Sequence, residues 1–193
     1  MRPDTKTALL QAAERVARAR GFDGFSYADL AQEVGIRKAS VHHHFPTKET
    51  LSVALLQQYC AHFKKLRNDI DQSHETGAGR LRALVDVYHD ALQDGASMCL
   101  CVAFSASRDS LSCAALTEIC AFRTDLRQWL RDVFQAGQHD NSITGVSDPR
   151  SEAAATLALL EGGQLAARAQ RDPSLFTASV EHMLARLKHN QAH

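Results

Sequence analysis

An all-α fold is what the sequence predicts, on three observations. Glycine and proline are few, at ten and four of 193 residues, while 45% of the chain is hydrophobic. Apolar residues recur at steps of three and four along most of the chain, the spacing of one helix face. Clear runs alternating apolar and polar residues, the mark of half-buried strands, are absent. The length suffices for one large or two small domains with a substantial core.

Thr5 to Arg20 form the first predicted helix. Leu9, Leu10, Ala13, Val16 and Ala17 keep helical spacing, and Lys6, Arg15 and Arg18 face out. Gly21 ends it, and Phe22 and Phe25 pack the following turn. Ser26 N-caps the second helix, with Asp29 at the capping-box position in place of Glu. Tyr27, Leu30 and Val34 make its buried stripe. Gly35 takes the positive φ that stops it, and Ile36 plugs the turn. Arg37 to His44 form the third helix, Pro46 stops it, and Thr47 caps the next.

The fourth helix runs from about Lys48 to Asp71 on Leu51, Leu55, Tyr59, His62 and Leu66. A helix of that length can carry a rigid displacement from one end to the other. Residues 73–79, SHETGAG, read as a linker. Arg80 to Gln93 form the fifth helix, broken at Asp94-Gly95. Ser97 then caps a short helix from Met98 to Ser107. Residues 111–137 carry a near-heptad seam of Leu116, Ile119, Arg123, Leu126, Leu130 and Val133. A polar loop, residues 138–148, leads to an Ala-rich helix at 150–170. There Glu161-Gly162-Gly163 permits close approach of a neighbouring helix. Pro173 opens the last helix.

Residues 26–51, SYADLAQEVGIRKASVHHHFPTKETL, order two short helices about a sharp turn. That is the helix-turn-helix arrangement, whose second helix enters the major groove of double-stranded DNA. In that helix Val41 and Phe45 anchor one face. The other presents Arg37, Lys38, Ser40, His42, His43 and His44, donors and small polar groups suited to phosphates and base edges.

The stretch GIRKASVHHHFPTKETL resembles the DNA-binding signature of the TetR family of transcriptional regulators, and GFDGFSYADLAQEV resembles its approach. The resemblance covers about the first quarter of the chain. It implies an N-terminal three-helix DNA-binding domain, residues 1–47, and a larger helical ligand-sensing and dimerisation domain, residues 48–193. It also implies a homodimer on operator DNA, acting as a repressor. The expected contacts are Arg37, Lys38, Ser40, His42, His43 and Lys48, while His44 is the one that packs beneath the helix. His42 stands where the family usually has a phosphate-contacting Tyr; an imidazole donates more weakly when neutral, and its charge follows pH.

The charge balance neither requires nor excludes a nucleic-acid partner. Twenty-two basic residues match 22 acidic ones. Residues 1–50 carry eight Lys/Arg against six Asp/Glu, a net of +2, and the remainder is −2. No 18-residue apolar run exists, and MRPDTKTALL has no signal-peptide core, so a cytoplasmic protein without membrane attachment is expected. No GxSxG, P-loop, GxGxxG or HExxH occurs, which argues against an enzyme. No cofactor is expected.

Two kinds of inducer fit the second domain. Met98 to Phe104 with Phe122 and Trp129 offer an apolar pocket for a non-covalent ligand. The five cysteines, Cys60, Cys99, Cys101, Cys113 and Cys120, offer a thiol that reacts with an oxidant or electrophile. Cys99, in the first turn after a Ser97 cap, is placed to favour the thiolate. Met98-Cys99-Leu100 resembles a Gly-Cys-Leu found in TetR-like regulators of reactive electrophiles. Cys101 neighbours it, and Cys113 or Cys120 is available to resolve a sulfenic acid. Cys-x-Cys followed by an eleven-residue gap matches no standard zinc spacing, so no metal is expected. A helical protein-interaction module, its polar third helix binding protein, is the competing class.

Overall fold

The computed structural model describes residues 4–188. Among them run α1 (Thr5–Arg20), α2 (Tyr27–Val34), α3 (Lys38–His44), α4 (Lys48–Ser73), α5 (Gly77–Asp90), α6 (Leu100–Ser105), α7 (Cys113–His139), α8 (Pro149–Gln170) and α9 (Ser174–Leu184). A 3-10 turn, Arg108–Ser110, precedes α7. An isolated antiparallel bridge joins Ile143 and Leu187.

The chain divides into two compact units: Met1–His62 with Cys99–Ala121, and Phe63–Met98 with Phe122–His193. The expected division after residue 47 does not coincide with this one. The physical reason is that α6 joins the N-terminal helices. Phe104 is fully buried and meets Phe22 edge to face at 5.4 Å, and α6 packs against α1.

In the first unit the caps fall where the sequence places them. Ser26 Oγ accepts from the Asp29 N–H and the Asp29 carboxylate accepts from the Ser26 N–H, completing the capping box. Gly35 is left-handed at φ 75°, and the Ile36 N–H reaches back to Ala31 O at 2.9 Å. Asp4 caps α1 through the Thr7 N–H at 3.0 Å. Thr47 Oγ1 accepts from the Thr50 N–H at 3.1 Å at the head of α4.

Two expected boundaries move. Gly77, Ala78 and Gly79 are the first turn of α5 rather than linker, because Thr76 caps that turn through the Gly79 N–H. The short helix begins at Leu100, with Cys99 rather than Ser97 in the cap position and no side-chain cap bond. Ser97 is instead buried, its N–H bonded to Leu92 O.

The second unit is built on α5, α8 and α9. Gly77 lies so close to Gly137 that an added Cβ would come within 2.4 Å of the Gly137 nitrogen. Gly163 is packed as tightly against Ser179 and Phe176 of α9, whereas Gly162 faces open space. Buried Gln164 donates to Tyr88 O at 2.7 Å. Arg67 pairs with Asp125 and Arg123 with Glu161; burial pushes the Glu161 carboxyl up, opposed by the Arg123 charge. Ile119 of the first unit, and Leu126, Leu130 and Val133 of the second, are buried within the chain, so much of the α7 seam is intramolecular core.

Candidate DNA-reading helix and thiol cluster

The reading helix is held from two sides. Buried Leu30, Val41 and Phe45 lock α2 and α3 together. Tyr27 lies against the His42 ring at 4.8 Å between centroids. Burial pushes the Tyr27 hydroxyl up to about 12. Away from that core, Arg37, Lys38, His42 and His43 are exposed and Ser40 is half-buried. Four of these expected contacts lie on α3, and Arg37 is its N-cap residue. His44 is half-buried, its ring edge-on to His43 at 5.5 Å. His42 Nδ1 lies 3.4 Å from Pro46 O.

Lys48, expected on the DNA side, turns inward. Its Nζ donates to Phe25 O at 2.8 Å and sits over the Phe22 and Phe25 rings at 4.5 and 4.4 Å. Burial holds its ammonium below the usual lysine range, countered by Asp23 and Asp29. It is a post that fixes the turn between α1 and α2. The signal was present in the sequence as the two phenylalanines Phe22 and Phe25, which present ring faces to a cation.

The cysteines Cys60, Cys99 and Cys101 gather in the first unit. Cys99 and Cys101 are buried and Cys60 on α4 is half-buried. The Tyr59 hydroxyl donates to Cys99 Sγ at 3.3 Å. The Cys99 and Cys101 thiols are shifted in opposite directions. The Cys101 bond first, then the Tyr59 hydroxyl and the Val102 and Cys101 N–H groups, outweigh burial and bring Cys99 down to about 7. Cys101 is pushed well above the ordinary thiol value, by its bonds to Cys60 and Cys99 and by burial. Cys60 and Tyr59 escaped the sequence reading of this site; the i, i+1 pair on α4 carries no signature without the fold.

Cys113 and Cys120 are exposed on α7. Among the described residues, no group of three or more His, Cys, Asp or Glu is arranged to hold a metal ion. The aromatic residues expected to line one pocket are divided. Phe104 is core of the first unit, whereas Phe122 packs on Phe63 at 5.1 Å in the second. Trp129 Nε1 donates to Asp71 Oδ2 at 2.9 Å, also in the second unit. No described helix is long and apolar enough to cross a membrane.

A capped helix-turn-helix with an open donor face defines a DNA-binding regulator. The comparisons give it a family. The family described as bacterial regulatory proteins, tetR family, matches residues 9–55, and the tetracyclin repressor-like C-terminal domain matches residues 77–183. The chain belongs to the TetR family of transcriptional regulators and is not an enzyme. The HTH-type transcriptional repressor NemR of Escherichia coli K12 is 26% identical over 93% of this chain and 92% of its own. A TetR-family regulator from Agrobacterium tumefaciens superposes with a TM-score of 0.89 at 29% identity, over 95% of this chain and 97% of that one. Escherichia coli NemR in its reduced form shares the fold, with a TM-score of 0.79 at 23% identity over 98% and 100% of the two chains.

Proposed function

We propose that the protein is a cytoplasmic homodimeric repressor that releases operator DNA when Cys99 is chemically modified. The observation that carries the inducer reading is the buried Cys99 sulfur, which accepts from the Tyr59 hydroxyl at 3.3 Å. A thiolate is the reactive form of cysteine, and Cys99 lies in the same compact unit as the reading helix. Arg37, Lys38, Ser40, His42 and His43 contact the operator, and Lys48 supports them through the Phe22–Phe25 turn. Repression follows the relative NemR, which is named a repressor.

Dimerisation is a property of TetR regulators, and α8 supports it here. Ala155, Ala158, Leu159, Gly162, Leu165 and Ala166 are all exposed and share one face, with Leu159 at 39% and Leu165 at 47% exposure. No charge interrupts that stripe, and a second copy of the chain would cover it. Leu165→Glu should convert dimer to monomer in sedimentation and weaken operator binding with it, because one head reads too few base pairs.

The deciding experiment uses operator DNA selected from random oligonucleotides. Wild type and Cys99→Ser are bound to it, treated with hydrogen peroxide or a quinone, and followed by fluorescence anisotropy. Release by wild type alone supports the covalent reading. Equal release by both proteins, or none by either, sinks it and leaves a non-covalent apolar ligand. A salt dependence of binding to mixed-sequence DNA separates both from a protein-interaction module, since only phosphate contacts release counterions.

A further inference from the structure

A buried hydroxyl beside the reading helix is left unsatisfied. Tyr27 is 7% exposed, and its hydroxyl is buried with no hydrogen-bond partner among the described residues. Leaving a buried donor unpaired costs free energy, and a native structure that does so calls for a reason. Tyr27 opens α2, the helix that crosses the DNA backbone in this motif. Its ring lies against His42 of α3, 4.8 Å between centroids and tilted by 60°. His42 is exposed, and its Nδ1 is 3.4 Å from Pro46 O. Burial pushes the Tyr27 hydroxyl up to about 12, so it stays a donor throughout the neutral range.

We propose that Tyr27 and His42 form a proton-linked phosphate clamp. On operator DNA, His42 is held as the imidazolium and turned off the Tyr27 ring toward a backbone phosphate. The uncovered Tyr27 hydroxyl then donates to the same phosphate. The proposal rests on α3 being the helix that faces the operator. The proton on the His42 ring is taken from solvent as the complex forms, and no covalent bond changes. The pair thus satisfies on DNA a donor that the free protein leaves buried.

The groups around His42 leave the phosphate as its charge partner. From α2, on which α3 packs, Tyr27 faces it as a neutral ring. The Asp29 carboxylate is already taken, accepting from the Ser26 N–H and hydroxyl at 2.7 and 2.6 Å. Glu33 pairs with Arg15 at 2.7 Å. From α1, Asp4 accepts from Thr7 and Lys6 Nζ stands 6.0 Å from the Phe45 ring. After α3, Pro46 offers a carbonyl, Lys48 is turned to Phe25 O, and Glu49 is exposed. On α3 itself Lys38 precedes His42 by one turn, a like-charge spacing that disfavours the imidazolium in the free protein. A phosphate favours the charged ring, so the complex holds more protons than its free parts. Affinity is therefore greatest at low pH and falls as pH rises through the histidine range.

Full-length protein is titrated with selected operator DNA by anisotropy, from about pH 6 to about pH 8 at fixed ionic strength. Calorimetry in buffers of different ionisation enthalpy counts the protons taken up. Wild type should bind about tenfold more tightly at the acid end and take up protons on binding. His42→Gln should flatten the profile and abolish the uptake, while His43→Gln should keep both. Tyr27→Phe should weaken binding about threefold at the acid end, leave the alkaline end unchanged, and keep its denaturation midpoint. The wild-type proton count decides the matter even where Tyr27→Phe folds poorly. A flat wild-type profile without proton uptake overturns the clamp, as does a profile that His43→Gln flattens and His42→Gln does not. Acid-end binding by folded Tyr27→Phe equal to wild type overturns it too. Each of these results leaves the α3 reading standing. Arg37→Ala with Lys38→Ala tests that reading by itself: unchanged operator affinity there would sink it, and the clamp with it.

Discussion

Two short helices of the first unit, α3 and α6, use their side chains in opposite ways. Each begins without a side-chain cap bond. On α3 only Val41 is buried, and the polar side chains open to solvent. On α6 five of the six residues, Leu100 to Phe104, are buried, and the Cys99 thiol at its head is buried and accepts from the Tyr59 hydroxyl. A face that must meet a large polyanion has to be open and adaptable. A thiol tuned to one reaction has to be enclosed, because its neighbours decide its protonation. The open face of α3 and the enclosed thiol, the recognition and sensing sites of the reading proposed above, are thus separated by burial within one compact unit.

The largest effect that would sharpen the contrast is on α3. Arg37→Ala combined with Lys38→Ala should cost about 1–3 kcal/mol for each contact removed, read as operator Kd, and leave thiol oxidation rates unchanged. Slower oxidation in that variant would break the separation. On α6, peroxide reactivity at Cys99 should rise about tenfold per pH unit below its pKa and level off above it, as the thiolate fraction saturates. With that pKa near 7, a stopped-flow profile should bend around neutrality, and Tyr59→Phe should move the bend upward by removing a donor. A flat profile would show that the neighbours do not tune the sulfur.

Away from both helices, Gly77→Ala places a Cβ 2.4 Å from Gly137 backbone. Overpacking of this kind costs about 1–3 kcal/mol, seen as a lower denaturation midpoint. Lys48→Ala should cost about 1–2 kcal/mol through its lost hydrogen bond and ring contacts, with the salt slope of DNA binding unchanged. A flattened slope would return Lys48 to the phosphate contacts. Ser26→Ala should cost about 1 kcal/mol by removing one arm of the capping box.

The fold was legible where local chemistry decides it. Ser26, Asp29, Gly35, Pro46 and Thr47 mark helix ends by themselves, and the α1, α2 and α3 faces follow from spacing. What needed coordinates was decided by partners distant in sequence. Lys48 reads as a basic residue beside a DNA-binding motif, and only the approach of Phe22 and Phe25 turns it inward. Cys99 was visible as a distinctive thiol, but Tyr59, whose hydroxyl donates to it, lies 40 positions earlier. The division of the chain was likewise hidden, because α6 returns to the N-terminal helices through Phe104. Phe122 and Trp129 read as pocket aromatics; a ring partner and an Asp71 acceptor occupy them instead.

The capping box at Ser26 and the Lys48 post have a thermodynamic consequence. A head whose helix ends and entry turn are already bonded has little order left to gain on the operator. Its association should lack the strongly negative heat-capacity change of coupled folding, and calorimetry of wild type should show a shallow temperature dependence of the binding enthalpy. Unfastening the turn by Lys48→Ala together with Ser26→Ala should steepen that dependence, since part of the ordering would then be deferred to the moment of contact with DNA.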